Sequence, residues 1–353
     1  MKALVLAGGS GTRLRPITHT SAKQLVPVAN KPVLFYCLET LLEAGIDDIG
    51  IIVGETQQEI RAAIGDGSRF GVKVTYIEQP DPLGLAHAVK ISEDFLKNDD
   101  FVMFLGDNLI KDGISTLVKE FNKNKPNAQI LLAEVENPSQ FGVAQLNGNK
   151  KVVKLVEKPK DPASNLALVG VYMFDKSIMK AVNSIKPSNR NELEITDAIQ
   201  HLIDSGHEVE PHVIKGWWKD TGKLEDMLEA NRMMLEGVEG NEGEVDKDSK
   251  LFGSVRLEKG SKIINSVIRG PVTIGENTVV DNSYIGPFSS IYYDCVIKNS
   301  EIEHSIILEK SSVSDMHRIE DSLVGKNVTI SKTEQKPKAY RLMLGDSSNV
   351  EVI

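Results

Sequence analysis

Cysteine is nearly absent from this chain: Cys37 and Cys295 are the only thiols in 353 residues, and they lie far apart. That excludes a disulfide scaffold or a cysteine-rich metal site and suits buried free thiols in a reducing compartment, so a cytoplasmic setting is expected. Aromatic residues are scarce too, at 5% with two tryptophans, which leaves aliphatic side chains to build the core. No apolar run approaches the roughly 20 residues that span a bilayer. The first strand is too short, and too soon followed by glycine and charge, to read as a signal peptide. An excess of positive charge is also missing. With 41 Lys and Arg against 50 Asp and Glu the net charge is −9, and the basic residues are dispersed, which argues against general nucleic-acid or anionic-membrane binding.

Two phosphate-binding signatures are present only in part. After the apolar run from Lys2 to Leu6, the turn Ala7-Gly8-Gly9-Ser10-Gly11-Thr12-Arg13-Leu14 has no lysine where a P-loop needs one. It also has Leu14 where a dinucleotide fingerprint needs its third glycine. The acidic residue at the right spacing, Glu39, falls in an amphipathic helical pattern from Pro32 to Gly45. What the turn does offer is bare backbone N–H groups after a buried strand, with Arg13 and then Lys23 as fixed positive charge. That combination points to polyphosphate chemistry.

The first 235 residues alternate strand and helix. Strands are expected at 49–53, 72–77, 101–105, 129–135, 152–156 and 168–174, and helices at 57–64, 86–96, 115–122, 195–204 and 224–235. Near-continuous apolar strands between amphipathic helices predict an α/β domain over 1–237 with a mainly parallel sheet, whose ligands bind beyond the strands' carboxyl ends. The acidic, glycine-rich stretch 238–250 reads as a linker. Beyond it, aliphatic residues recur every five or six positions: Ile268, Ile274, Val280, Ile285, Ile291, Ile297, Ile302, Ile307, Val313, Ile319, Val324 and Ile330. This is the pattern of a left-handed parallel β-helix over 251–353, about four coils of three six-residue units, with strands at 340–344 and 350–352 capping it.

Several residues after strands carry chemistry. Asp107, in Leu105-Gly106-Asp107-Asn108, and Asp220, in Trp218-Lys219-Asp220-Thr221, are two carboxylates in an α/β domain with a phosphate-type turn. That is a donor set for Mg²⁺, although each aspartate alone could cap a helix. Trp218 reads as core packing. Glu157-Lys158-Pro159 ends a strand, with Pro159 favouring an extended Lys158. Gln79 can donate and accept at once, which suits a pyrimidine imide edge, and Gly84 permits close approach.

These segments, together with Lys23-Gln24-Leu25-Val26-Pro27-Val28, Phe141-Gly142-Val143 and Glu192-Leu193-Glu194-Ile195-Thr196-Asp197, resemble the nucleotidyltransferases that make nucleotide-sugars. The resemblance is closest to the glucose-1-phosphate thymidylyltransferase family in its long form, with a C-terminal hexapeptide-repeat domain. It implies a Rossmann-like nucleotidyltransferase domain that condenses dTTP with glucose 1-phosphate, releasing pyrophosphate with the help of Mg²⁺. It implies that Arg13 and Lys23 are catalytic, and that Leu6, Gly8, Gly9, Thr12, Arg13, Gln24, Gln79 and Gly84 hold the nucleotide. Asn108, Gly142, Glu157, Lys158 and Gly170 would hold the sugar phosphate, and Asp107 and Asp220 the metal. Two positions depart from the short-form pattern: His87, where glutamine is common, and Lys223, where a small polar residue is common. Alternatives are a uridylyl- or other nucleotidyltransferase on a sugar 1-phosphate, or a non-catalytic regulatory subunit. His304 and His317 are available to an acyltransferase, but without an inserted loop the β-helix reads as structural, joining copies into a homo-oligomer.

Overall fold

A computed structural model describes residues 1–9, 11–332 and 340–351. Ser10 of the glycine turn and Val352 of the expected cap lie outside the described residues. By contact density the chain forms two compact units. One comprises Met1–Ser10, Ala22–Leu25 and Val33–Asp220, and the other Gly11–Ser21, Val26–Pro32 and Thr221–Ile353.

In chain order the elements up to the β-helix are β1 (Lys2–Leu6), β2 (Pro27–Val28), β3 (Lys31–Pro32), α1 (Val33–Glu43), β4 (Asp48–Val53), α2 (Gln57–Ile64), β5 (Lys73–Glu78), α3 (Leu85–Ile91) and α4 (Glu93–Leu96). There follow β6 (Phe101–Leu105), β7 (Asn108–Ile110), α5 (Ser115–Asn124), β8 (Ala128–Glu134), β9 (Gly142–Leu146), β10 (Val152–Glu157), β11 (Leu166–Phe174), α6 (Ser177–Ser184), α7 (Ile195–Asp204), β12 (Val209–Val213), β13 (Trp218–Asp220) and α8 (Leu224–Leu235). The expected helix at 86–96 is two helices broken at Ser92, whose hydroxyl donates back to the Ala88 carbonyl (2.7 Å), a bond that bends helices. Strand β12 escaped the sequence reading because Pro211 and two ionisable residues interrupt it; it pairs with β8 alone, where a proline is tolerated.

The first unit's sheet runs β10-β9-β11-β6-β1-β4-β5, with β8 also paired to β11 and β12 to β8. The pairs β6/β1, β1/β4 and β4/β5 are parallel, and β11 runs antiparallel to β6. Alternate residues feed opposite faces, as the two-residue period of a strand requires. Ala3 and Val5 join Val102, Phe104 and the apolar sides of α1, α2 and α5. Leu4 joins Phe101, Met103 and helices α3, α6 and α7. Because the chain leaves β1 toward β4 and returns to β6 on its other side, the carboxyl ends of β1 and β6 form the crevice where such sheets bind ligands.

The second unit contains the left-handed parallel β-helix. The aliphatic series falls into three columns: Leu257, Ile274, Ile291, Ile307 and Val324; Ile263, Val280, Ile297, Val313 and Ile330; and Ile268, Ile285 and Ile302, with Ile319 bridged to Ile302. A coil takes 17 residues, or 16, rather than three full sixes, as the register of Ile263 on Val280 and Ile297 on Val313 shows. One column of corners is occupied by Asn265, Asn282, Asn299 and Asp315, all at positive φ, a conformation Asn and Asp tolerate best among side-chain-bearing residues. Their side chains hydrogen-bond in a ladder at 2.8–2.9 Å.

Two expectations are corrected. The stretch 238–250 is not a free linker: Gly240–Asn241, Glu244–Val245 and Lys250–Phe252 pair in parallel with the next coil. Its acidic residues point outward while the backbone supplies the bonds, so two faces are six strands deep and the solenoid exceeds four coils. Residues 340–351 contain no strand, since Tyr340, Leu342, Met343 and Leu344 remain exposed and find no sheet edge to bury them.

Within this unit one buried amide joins three segments. Asn231 of α8 accepts from the Ala29 N–H (2.8 Å) and the Ser290 hydroxyl (2.6 Å), and donates to the Phe288 carbonyl (2.9 Å). Both cysteines are free and buried; burial raises the Cys295 thiol to about 11. No helix among the described residues is long and apolar enough to cross a membrane.

Candidate active site

The floor of the site is backbone. Leu6 ends β1 between Ile52 and Leu105, and the ladder continues through Ala7 N–H to Ile52 O and Gly106 N–H to Leu6 O. Gly8 and Gly54 then pass so closely that a side chain on Gly54 would lie 2.9 Å from the Gly8 carbonyl oxygen. Gly9 abuts Lys23 and Gln24: a Cβ there would sit 3.3 Å from Lys23 Cε and 3.6 Å from Gln24 Nε2. Gln24 is buried, and its Oε1 has no partner among the described residues.

Lys23 donates to the Asp107 carboxylate. Burial alone would raise the Asp107 carboxyl, but the Lys23 ammonium and the Asn108 amide hold it below the usual carboxylate range. Asp107 leads into β7, not a helix, so the capping alternative fails. Asp220 ends β13, opposite Asn108 in the antiparallel β7/β13 pair. It does not cap α8, whose N-cap is Lys223. Register therefore puts Asp220 opposite the residue that follows Asp107.

Asn108 has its oxygen fully engaged within the protein. Its Nδ2 donates to Asp107 (2.9 Å), while its Oδ1 accepts from the Gly170 N–H (3.2 Å) and the Trp218 indole. Trp218, expected as packing alone, thus also helps orient the amide that holds Asp107. Gly170 is required by this contact, since a Cβ would lie 2.7 Å from Asn108 Oδ1.

A second cluster surrounds Gln79, after β5. Its Nε2 donates to the Gly84 carbonyl (3.2 Å) and lies 2.9 Å from His87 Nδ1. Gly84 has a φ of 102°, and a Cβ there would overlap the Leu193 carbonyl oxygen and sit 2.8 Å from the Leu193 nitrogen. Neither backbone atom can move aside. Gly84→Ala is therefore expected to cost about 2–4 kcal/mol, read as a lowered urea midpoint; an unchanged midpoint would show that the turn yields.

The third cluster lies where β9 and β10 pair. Gly142 faces Glu157, and a Cβ would be 3.1 Å from Glu157 Oε2. Glu157 meets Arg190 (3.5 Å), Lys158 (4.0 Å) and the Thr196 hydroxyl (3.4 Å). Desolvation, helped by Glu194, raises its carboxyl above the usual range despite those cations. Lys158 is not extended as its following proline favours: its φ is 42°. Its N–H donates to the Phe141 carbonyl (3.0 Å), continuing the β9/β10 ladder as the chain turns, which outweighs the pre-proline preference. Arg190, which also meets Glu192 and Glu194, was missed by the sequence reading. A lone arginine among polar loop residues gives no signal until the fold brings three carboxylates to it.

Thr12 and Arg13 open the short turn Thr12–Leu14 behind Gly11, whose φ is 64°. Thr18 Oγ1 donates to the Gly11 carbonyl (2.7 Å), and both Thr12 and Arg13 are exposed. They fall in the second unit.

A parallel core crossed by β11, glycines at the carboxyl edge and a lysine paired to one of two neighbouring aspartates define the nucleotidyl transferase class, and residues 2–237 match the family model described as nucleotidyl transferase. Over its whole length the chain is 56% identical to a glucose-1-phosphate thymidylyltransferase of Streptomyces griseus, covering 99% of that protein. It is 55% identical to one from Streptomyces antibioticus, again over 100% of this chain and 99% of the other. A Bacillus anthracis crystal structure described as a glucose-1-phosphate thymidylyltransferase in complex with sucrose is 37% identical over 68% of this chain and 97% of its own, with a TM-score of 0.63. The chain belongs to the glucose-1-phosphate thymidylyltransferase family.

Proposed function

We propose that this chain condenses dTTP with glucose 1-phosphate to dTDP-glucose and pyrophosphate, with Asp107 and Asp220 holding Mg²⁺. The observation that carries the reading is the group of Lys23, Asp107 and Asp220 at the carboxyl edge of the sheet, in a chain similar along its whole length to enzymes of that name. Two carboxylates with phosphate oxygens to complete the shell suit a hard cation of this size. Bound there, Mg²⁺ would neutralise charge on the phosphates.

The remaining chemistry falls to the chain's own residues. The sugar phosphate is largely ionised near neutral pH, so its oxygen attacks the α-phosphorus in line without a general base, and pyrophosphate leaves opposite. Gly8 and Gly9 let the nucleotide lie against backbone. Lys23 and Arg13 offset the charge that develops on the phosphates. Asn108 and Gly170 serve this reading through Asp107, as its orienting partners. Glu157, Lys158 and Gly142 take the sugar phosphate, with the lysine supplying positive charge and the carboxylate accepting from hydroxyls. Association of copies through the β-helix belongs to the same reading, since Leu251, Phe252, Ile264 and Val296 stand exposed on it.

Pyrophosphate release with Mg²⁺ and glucose 1-phosphate, run across dTTP, UTP, dCTP, ATP and GTP, tests the proposal. Fastest release with dTTP is expected, and UTP second. A preference for a purine, or no release with any nucleotide, would overturn it.

A further inference from the structure

The amide of Gln79 is held from two sides, and both holds act on one atom. Its Nε2 lies 3.2 Å from the Gly84 carbonyl oxygen, an atom that can only accept, so the nitrogen side of the carboxamide must face it. The same nitrogen lies 2.9 Å from His87 Nδ1. Its second N–H therefore donates to that ring nitrogen, and the His87 proton sits on Nε2. With both donors engaged, Oε1 is the only atom of the carboxamide left to meet a base. Gly84 is fixed in turn by the Leu193 backbone, where Leu193 N–H donates to Leu83 O (2.7 Å) and Ala86 N–H to Leu193 O (3.0 Å). Gln79 borders a cavity of about 230 Å³ lined by Val53, Gly54, Glu55, Gln57, Glu78 and Pro80.

We propose that His87 is a positioning residue for nucleotide selection: by taking one N–H of Gln79 it fixes the amide as an acceptor toward the base. This rests on the thymidylyltransferase reading and deepens it. An acceptor at that position matches the N3–H of a thymine or uracil imide. Cytosine presents a lone pair at N3 instead, so two acceptors face each other. Discrimination then comes as much from repulsion of the wrong base as from attraction of the right one. Were His87 unable to accept, the amide would have an N–H to spare and could turn to offer it to cytosine.

Two substitutions separate this role from packing. His87→Leu fills similar space without an acceptor. His87→Asn places a carbonyl oxygen close to where Nδ1 stands and keeps one. Steady-state kinetics are measured with dTTP and dCTP for the full chain and both variants, with melting curves to confirm folding. For His87→Leu the kcat/KM preference for dTTP over dCTP is expected to fall at least about tenfold, carried mainly by a higher KM for dTTP with kcat within about threefold. His87→Asn is expected to retain the preference to within about threefold. An unchanged preference in His87→Leu, or an equal loss in both variants, would overturn the proposal. If the unsubstituted chain does not use dTTP at all, it is the activity reading that fails, a result distinct from either.

Discussion

Asp107→Asn is expected to lower kcat by at least about a thousandfold at saturating Mg²⁺ while the chain stays folded. The substitution keeps the shape and the acceptor for the Asn108 amide (2.9 Å) but removes the charge. Loss of one carboxylate from a two-carboxylate site removes several kcal/mol of charge stabilisation from the transition state, and each 1.36 kcal/mol is a factor of ten. The Lys23 ammonium, whose side chain is only 13% exposed, loses its carboxylate as well. Breaking one partner out of such a pair costs roughly 3–5 kcal/mol when burial is complete, so a lower melting temperature should accompany the loss of activity. Titrating Mg²⁺ separates the two effects: the variant should need far more metal for its residual rate, which destabilisation alone does not explain. Full turnover in Asp107→Asn would sink the metal assignment.

The second large effect is on stability. Asn231→Leu is expected to destabilise the second unit by about 3–5 kcal/mol, because it strands the Ala29 N–H, the Ser290 hydroxyl and the Phe288 carbonyl. Each buried polar group left without a partner costs about 1–3 kcal/mol. A domain's entire margin is only about 5–15 kcal/mol, so the change should show as a marked fall in the urea midpoint. A leucine is similar in size, so a cavity does not account for the loss. If the midpoint moves by less than about 1 kcal/mol equivalent, the three groups find other partners and the amide is not the joint it resembles.

Much of the candidate site was legible before the fold. Gly8, Gly9, Lys23, Gln79, Gly84 and Asp107 sit in runs where strand, turn and chemistry are contiguous, and local chemistry is what a sequence displays. Most of the α/β elements could be read in the same way, because an apolar strand or an amphipathic helix declares itself within ten residues. The departures came where a distant partner decided the outcome. The stretch 238–250 looks like a linker by composition, and only parallel pairing with residues 256–269 makes it a coil. Lys158 should be extended before Pro159, yet a bond to Phe141 holds it at φ 42°.

By itself, then, the sequence determined most of the strands and helices, the glycine turn, the pair of aspartates and the columns of the β-helix. Each of these is written in the period or spacing of near neighbours. Tertiary structure alone decided which donor and acceptor faces those side chains present. The Asn108 oxygen is filled by Gly170 and Trp218, Arg190 is gathered among carboxylates, and Gln79 is reduced to an acceptor by Gly84 and His87. At Asn108, which is buried, each hydrogen bond is exclusive, because a buried group must be partnered and its partner is then spent; at Arg190 and Gln79 it is the neighbours' chemistry that decides.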